Sequence, residues 1–275
     1  MTAVALLFAG MPIPADETRP LVFGVFPYLS PAQLEKLYAP VAADLSAAIG
    51  RPVQLRTRPS FDLFGREVVQ ERYDFIFIQP FAYAKLASRH GYRSIVRPSS
   101  ALKAVFVIRA DSTINKFSDL KKKTVCAPPQ QAAVSLLARE TLHNHKLIPG
   151  IDIRLTYQKS HSACLRAVLI RKAAACITAS PPLQIFETKT GVNFKVLGYS
   201  NPVPGSTYAV HQRLPAALRE TIARRIVSWQ RTDQGRALLK TLKFPAFVRS
   251  TDGDYQPVRD ILKGLNNNKG ESTHD

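Results

Sequence analysis

Acidic residues are scarce and cysteines scarcer in this 275-residue sequence: 20 Asp plus Glu stand against 38 Lys plus Arg, and there are three Cys. So few cysteines exclude a disulfide-dense scaffold, and three cannot all pair within one molecule. No run of about 18 apolar residues occurs, so no segment reads as a membrane-spanning helix. Paired Cys/His zinc spacing, the aromatic and glycine pattern of RNA-binding sheets and a helix-turn-helix signature are all missing, so positive charge alone gives no argument for nucleic acid. Carboxylates and histidines show no metal-ligand spacing, and no cofactor motif is present. What remains is a chain that is 45% hydrophobic, enough for a substantial core. At roughly 100 to 200 residues per domain, its length fits two lobes or one large fold. The net charge of +18 favours an anionic partner, and most of the excess lies in residues 103–204.

The first fifteen residues, Met1 to Ala15, carry no charge, and Ala3 to Gly10 form a short apolar run followed by Pro12, Pro14 and Ala15. That is the profile of the back half of a secretory signal without its basic start. Residues 1–20 are therefore read as a signal remnant on an exported chain, with an apolar tail as the alternative.

From Leu21 onward strands and helices alternate. Leu21 to Phe26 reads as a strand, Pro31 to Ile49 as a helix stopped by Gly50, Val53 to Arg56 as a strand and Phe61 to Glu71 as a helix. Asp74 to Ile78 follows as a continuous apolar strand and Phe81 to Arg89 as a helix. The pattern restarts with strands at Val105–Arg109 and Thr124–Ala127 and a helix from Gln130 to His143. Ile153–Gln158 and Ala174–Thr178 are further strands, Ser162–Lys172 and Pro181–Thr188 further helices, and Phe194–Gly198 closes the unit. Beyond it only helices are read, over Pro215–Gln230, Asp233–Leu242 and Tyr255–Leu265. This order predicts an α/β protein with parallel sheets, its ligand lying at the carboxyl ends of the strands. One unit inserted in the other predicts a first lobe from 21–102 and 205–265 and a second from 103–204. Two chain crossings join them, with a cleft between, and residues 266–275 form a solvated, disordered tail.

Several stretches then resemble a known family. Lys116 to Val125 (KFSDLKKKTV) resembles the entry to the second lobe of type 2 periplasmic binding proteins. Phe23–Tyr28 (FGVFPY), Asp74–Tyr83 (DFIFIQPFAY), Ser160–Val168 (SHSACLRAV), Leu214–Ile222 (LPAALRETI) and Asp254–Ile261 (DYQPVRDI) resemble the phosphate, phosphite and phosphonate ABC-transporter substrate-binding (PhnD-like) family. The resemblance runs from about Leu21 to Leu265. It implies a monomeric receptor that closes on a small oxyanion and presents it to an ABC permease or a membrane histidine kinase, without catalysis. It also implies ligand contacts from Tyr28 on a first-lobe loop, from Gln79 and Tyr83 where a helix opens, and from Ser160 and His161 at a second-lobe helix start, with Thr178 at a strand end.

One segment departs from the family. Phosphonate binders of this kind carry a hydroxyl-rich loop after the second-lobe strand, whereas here it is Ala127-Pro128-Pro129-Gln130-Gln131-Ala132-Ala133. Hydroxyls are gone and prolines remove donors. The backbone amides of Gln131, Ala132 and Ala133 at the helix start become the expected anion contacts. If the family's sheet order holds, Cys126 and Cys176 lie on neighbouring strands, where they form a disulfide, a soft site for a thiophilic oxyanion such as arsenite or tetrathionate, or two inert core thiols. Cys164 reads as helix packing. His161 reads as either an anion donor, its pKa lowered by the helix dipole, or a solvated helix start. A Cys126–His161 nucleophile and base is the enzymatic alternative, but no motif surrounds the pair and no acid to orient the histidine is evident.

Overall fold

The structure, a computed structural model, describes residues 19–270, with side chains through residue 264. The signal-like run Met1–Ala15 and the last residues, 271–275, lie outside the described residues. The first strand, β1 (Leu21–Val25), leads into α1 (Pro31–Ile49), β2 (Val53–Thr57), α2 (Phe61–Val69), β3 (Phe75–Ile78), α3 (Pro80–Lys85) and β4 (Tyr92–Pro98). The second unit is β5 (Val105–Arg109), β6 (Thr124–Ala127), α4 (Ala133–Asn144), β7 (Arg154–Tyr157), α5 (His161–Leu169), β8 (Ala175–Thr178), α6 (Ser180–Thr190) and β9 (Phe194–Tyr199). The chain then returns through β10 (Thr207–His211), α7 (Ala216–Ser228), α8 (Asp233–Leu242), β11 (Phe247–Arg249) and α9 (Gln256–Gly270).

Two sheets result, a six-stranded one in the order β11-β4-β10-β3-β1-β2 and a five-stranded one in the order β7-β6-β8-β5-β9. The parallel pairing read from the sequence holds for β2-β1-β3 and for β7-β6-β8. Elsewhere the sheets are antiparallel: β5 and β10, the strands entered directly from the two crossings, run against their neighbours, and β11 runs against β4. The crossings themselves pair. Leu102 and Val203 exchange backbone hydrogen bonds of 2.7 and 2.9 Å, and Ser200 Oγ accepts from the Ala104 amide at 2.8 Å. The hinge is thus a two-stranded ribbon joining two lobes, each built on one sheet.

Three strands escape the sequence reading. β4 alternates buried Tyr92, Ser94, Val96 and Pro98 with the more exposed Arg93, Ile95 and Arg97; a serine on the buried face and an isoleucine on the other mask the period. β10 is buried along its whole length and has no alternation to read, and β11 is three residues long. The last helix also continues past Leu265 to Gly270.

The first-lobe core is aromatic. Phe23 of β1 stacks on Phe75 at 4.7 Å between centroids, Phe77 lies 4.8 Å from Tyr208, and Trp229 meets Phe247 edge-on at 5.7 Å. Helix α1 covers this core with Leu34, Tyr38, Val41, Ala42 and Leu45, a stripe at helical spacing. Gly24 is needed beneath Tyr73, since a Cβ there would sit 2.6 Å from the ring. Two buried carboxylates knot the lobe. Asp74 accepts from Arg19, Arg213 and the Val22 amide, and Asp44 accepts from Arg225 and from the Trp229 indole at 2.8 Å.

Candidate functional site: the interlobe cleft

A cavity of about 590 Å³ lies between the lobes, beside the hinge ribbon. Strand ends and helix starts converge on it, as the βα order requires. Tyr28, Gln79, Ala132, Ala133 and His161, five of the residues singled out from the sequence, line it together.

Gln79 ends β3 and caps α3. Its Oε1 accepts from the Phe81 amide at 3.0 Å, while its Nε2 donates across the cleft to the Gln131 carbonyl at 3.2 Å. One side chain therefore shapes the first-lobe loop and ties the two lobes. Tyr28 presents its ring; its hydroxyl lies 3.1 Å from the Tyr38 hydroxyl. Burial pushes the Tyr28 phenol far up, so it stays neutral.

On the second lobe, α4 begins at Ala133 rather than Gln130. A turn closed by the Ala132 amide on the Pro129 carbonyl at 2.8 Å precedes it, and the two prolines delay the helix. The Ala132 amide is thereby used. Since the N-cap is an alanine with no oxygen to offer, the first-turn amides of Ala133 and Val134 remain open. Gln131 faces a second groove of about 750 Å³ on the far side of Gln79. At α5, Ser160 Oγ caps the Ala163 amide at 3.2 Å; the serine supports the helix start and does not line the cleft. Helix α6 opens with Ser180, Pro181 and Pro182, so its first turn keeps few amide donors.

His161 is 5% exposed and its Nδ1 lies 2.8 Å from Thr178 Oγ1. Burial pushes its pKa down to about 3. The downward direction agrees with the sequence reading, but desolvation and not the helix dipole is the cause. Thr178 is fully buried behind the histidine and orients it, with no face on the cleft. His161 lines the cavity, and its hydrogen bond among the described residues is made by Nδ1. Cys126 and His161 do not form a catalytic pair: each is engaged with a different neighbour.

Tyr83 does not reach the cavity either. It is fully buried, donates to Asp252 at 2.8 Å and accepts from the Ser94 amide at 3.0 Å. The cysteines lie in the second-lobe core. Cys126 and Cys176 are register neighbours on β6 and β8, but the disulfide joins Cys176 to Cys164 of α5. Cys126 stays a thiol 2.8 Å from the Cys164 sulfur, its pKa pushed up to about 12 by burial. The three sulfurs lie within 4.8 Å of one another, all buried, and none lines the cleft. The sequence reading missed Cys164 because the helix spacing showed only that it faced inward.

It also missed the aromatic wall. Phe26, Phe61, Phe77 and Phe244 line the first-lobe side. Among the described residues the charged ones lining the cavity are Lys103, Lys240 and Lys243, and none of the lining residues is a carboxylate.

Two lobes on a ribbon hinge, with helix starts gathered at the cleft, define a bilobed solute receptor of the type 2 periplasmic-binding-protein class. The chain belongs to the periplasmic phosphonate substrate-binding protein family of ABC transporters, which matches residues 23–255. This is a family of transport receptors and not of enzymes, and its members are exported to the periplasm. The fold is similar to that of a binding protein component of an ABC phosphonate transporter from Pseudomonas aeruginosa (15% identity, 89% of this chain and 86% of that one, TM-score 0.78). PhnD1 of Prochlorococcus marinus, solved with methylphosphonate, is comparably similar (13% identity, 90% and 98%, TM-score 0.79). A histidine kinase sensor domain with similarity to periplasmic binding proteins shares the fold less closely (16% identity, 86% and 100%, TM-score 0.57). No curated protein sequence matches the chain. Among the described residues no helix is long and apolar enough to cross a membrane.

Proposed function

We propose that this protein captures a phosphonate in the interlobe cleft, closes over it and presents it to an ABC permease. The observation that carries the reading is the set of open amides at the second-lobe face of the cavity. Ala133 and Val134 at the start of α4, and His161 at the start of α5, offer donors where the helix dipoles favour negative charge. The neutral His161 ring supplies Nε2 from the same side. Lysines at the margin draw an anion inward, and no carboxylate opposes it. These donors replace the hydroxyls absent from residues 127–133. Closure follows because only the closed state lets one ligand touch both lobes, which gives that state the higher affinity.

Ala133→Pro tests this directly. Proline fits the first helical position, and the preceding Ala132 is already extended at φ −66° and ψ 139°. The change deletes one amide and keeps the helix. A hydrogen bond to a charged group contributes about 1.5 to 3 kcal/mol, so calorimetry should show methylphosphonate binding weakened roughly 10- to 150-fold. Unchanged affinity, with an unchanged melting temperature, would sink the proposed anion contact.

A further inference from the structure

We propose that the ligand is an anion bearing a bulky uncharged apolar substituent, an arylphosphonate or an alkylphosphonate longer than methyl, and not one whose tail carries an ammonium. The inference rests on the phosphonate reading above and concerns the part of the cavity that reading leaves unfilled.

Chemistry divides between the lobes. Amides and the His161 ring line the second-lobe side, where an anionic head fits. The first-lobe side is a continuous set of rings: Phe26 lies 4.9 Å from Tyr28, 6.2 Å from Phe61 and 5.7 Å from Phe77, and Phe77 lies 6.0 Å from Phe244. Tyr28 adds no free hydroxyl to this wall, because its oxygen meets Tyr38. Rings of this kind attract apolar and aromatic surface.

Volume points the same way. At roughly 30 Å³ per water, about 590 Å³ holds on the order of twenty waters, far more than a one-carbon phosphonate displaces. A bare head would leave the rings wet, whereas an aryl or alkyl tail fills the space against them. An ammonium tail finds no partner. Among the described residues the charged lining residues are Lys103, Lys240 and Lys243 with no carboxylate beside them, and a buried cation without a counter-charge is strongly disfavoured. Ring faces alone offer a weak substitute beside three lysines.

The test is calorimetry on the full chain with methylphosphonate, benzylphosphonate, 2-aminoethylphosphonate, benzoate and benzyl alcohol. Benzylphosphonate should bind about 10- to 100-fold more tightly than methylphosphonate, the range expected for burying one ring, and 2-aminoethylphosphonate should be the weakest phosphonate. Phe61→Ala, at a partly exposed helix start, should cut the benzyl-to-methyl affinity ratio about tenfold. Tighter binding of the aminoethyl than of the benzyl compound overturns the inference, as does a ratio that Phe61→Ala leaves unchanged. Binding of methylphosphonate but not benzylphosphonate refutes the apolar tail and leaves the phosphonate reading standing. Binding of benzoate with no phosphonate bound does the reverse, and equal binding of benzyl alcohol and benzylphosphonate refutes the anionic head.

Discussion

Gln79 holds two positions at once, and Gln79→Glu separates them. The wild-type amide oxygen caps the Phe81 amide at 3.0 Å, and the amide nitrogen donates across the cleft to Gln131 at 3.2 Å. Glutamate keeps an acceptor for the cap and loses the donor, so helix α3 keeps its start while the tie between lobes is broken. A neutral hydrogen bond contributes about 0.5 to 1.5 kcal/mol net, which corresponds to a roughly 2- to 12-fold lower closed-to-open ratio in the ligand-free protein. The carboxylate facing the Gln131 carbonyl adds repulsion, so the lower figure is a floor. Fluorescence transfer between labels at Lys36→Cys on α1 and Lys189→Cys on α6, both exposed positions on opposite lobes, would report the ratio. The native sulfurs are buried and do not compete for label. Gln79→Ala should open the protein similarly and lose about 1 kcal/mol more through the missing cap. A closed fraction in Gln79→Glu equal to wild type would refute the reasoning, because the tie would then contribute nothing to closure.

Three further predictions concern the frame around the site. Asp44→Ala strands Arg225 and the Trp229 indole. Breaking such a pair costs about 3 kcal/mol, so at roughly 2 to 4 °C per kcal/mol the melting midpoint should fall by about 6 to 12 °C; a drop under 2 °C would contradict the assigned role. The His161 pKa in the fold, about 3 against an ordinary 6.5, makes the unfolded chain bind the proton first. Its contribution is therefore complete above about pH 6.5 and is lost as pH falls toward 3, by at most ~1.4 kcal/mol per pH unit. Urea titrations of wild type and His161→Gln between pH 7.5 and 5 should show the smaller slope in the variant; the buried His211, also pushed down by burial, gives a residual slope to both. Identical slopes would count against a neutral, buried His161. Peptide mapping under non-reducing conditions should recover Cys164 joined to Cys176, with Cys126 alkylated only after denaturation; a Cys126–Cys176 link would contradict the packing of α5.

Apart from β4, the order of strands and helices through residue 198 was legible in the sequence, and the helix starts read at 81, 130 and 162 fall within three residues of those in the structure, because apolar periodicity and proline or glycine stops are local properties. Proline positions even announced the unusual loop at 127–133. Partner choice was not local. Whether Cys176 meets Cys126 on the next strand or Cys164 on the covering helix depends on how α5 sits across β6 and β8, and no spacing encodes that. The destinations of Tyr83 and Thr178 likewise depended on partners far along the chain or one layer away: Asp252 for the tyrosine, the His161 ring for the threonine. Direction in the sheets escaped for a similar reason. A strand entered from the hinge has the same composition whichever way it runs, and only the ribbon at Leu102 and Val203 makes β5 and β10 antiparallel to their neighbours. The sequence by itself determined a chain that alternates strand and helix, doubles back once and gathers helix starts at one edge. Tertiary structure alone decided that four phenylalanines, packed in or against the first-lobe core, also line the cleft, since burial periodicity reports that a side chain avoids water and not which cavity it faces.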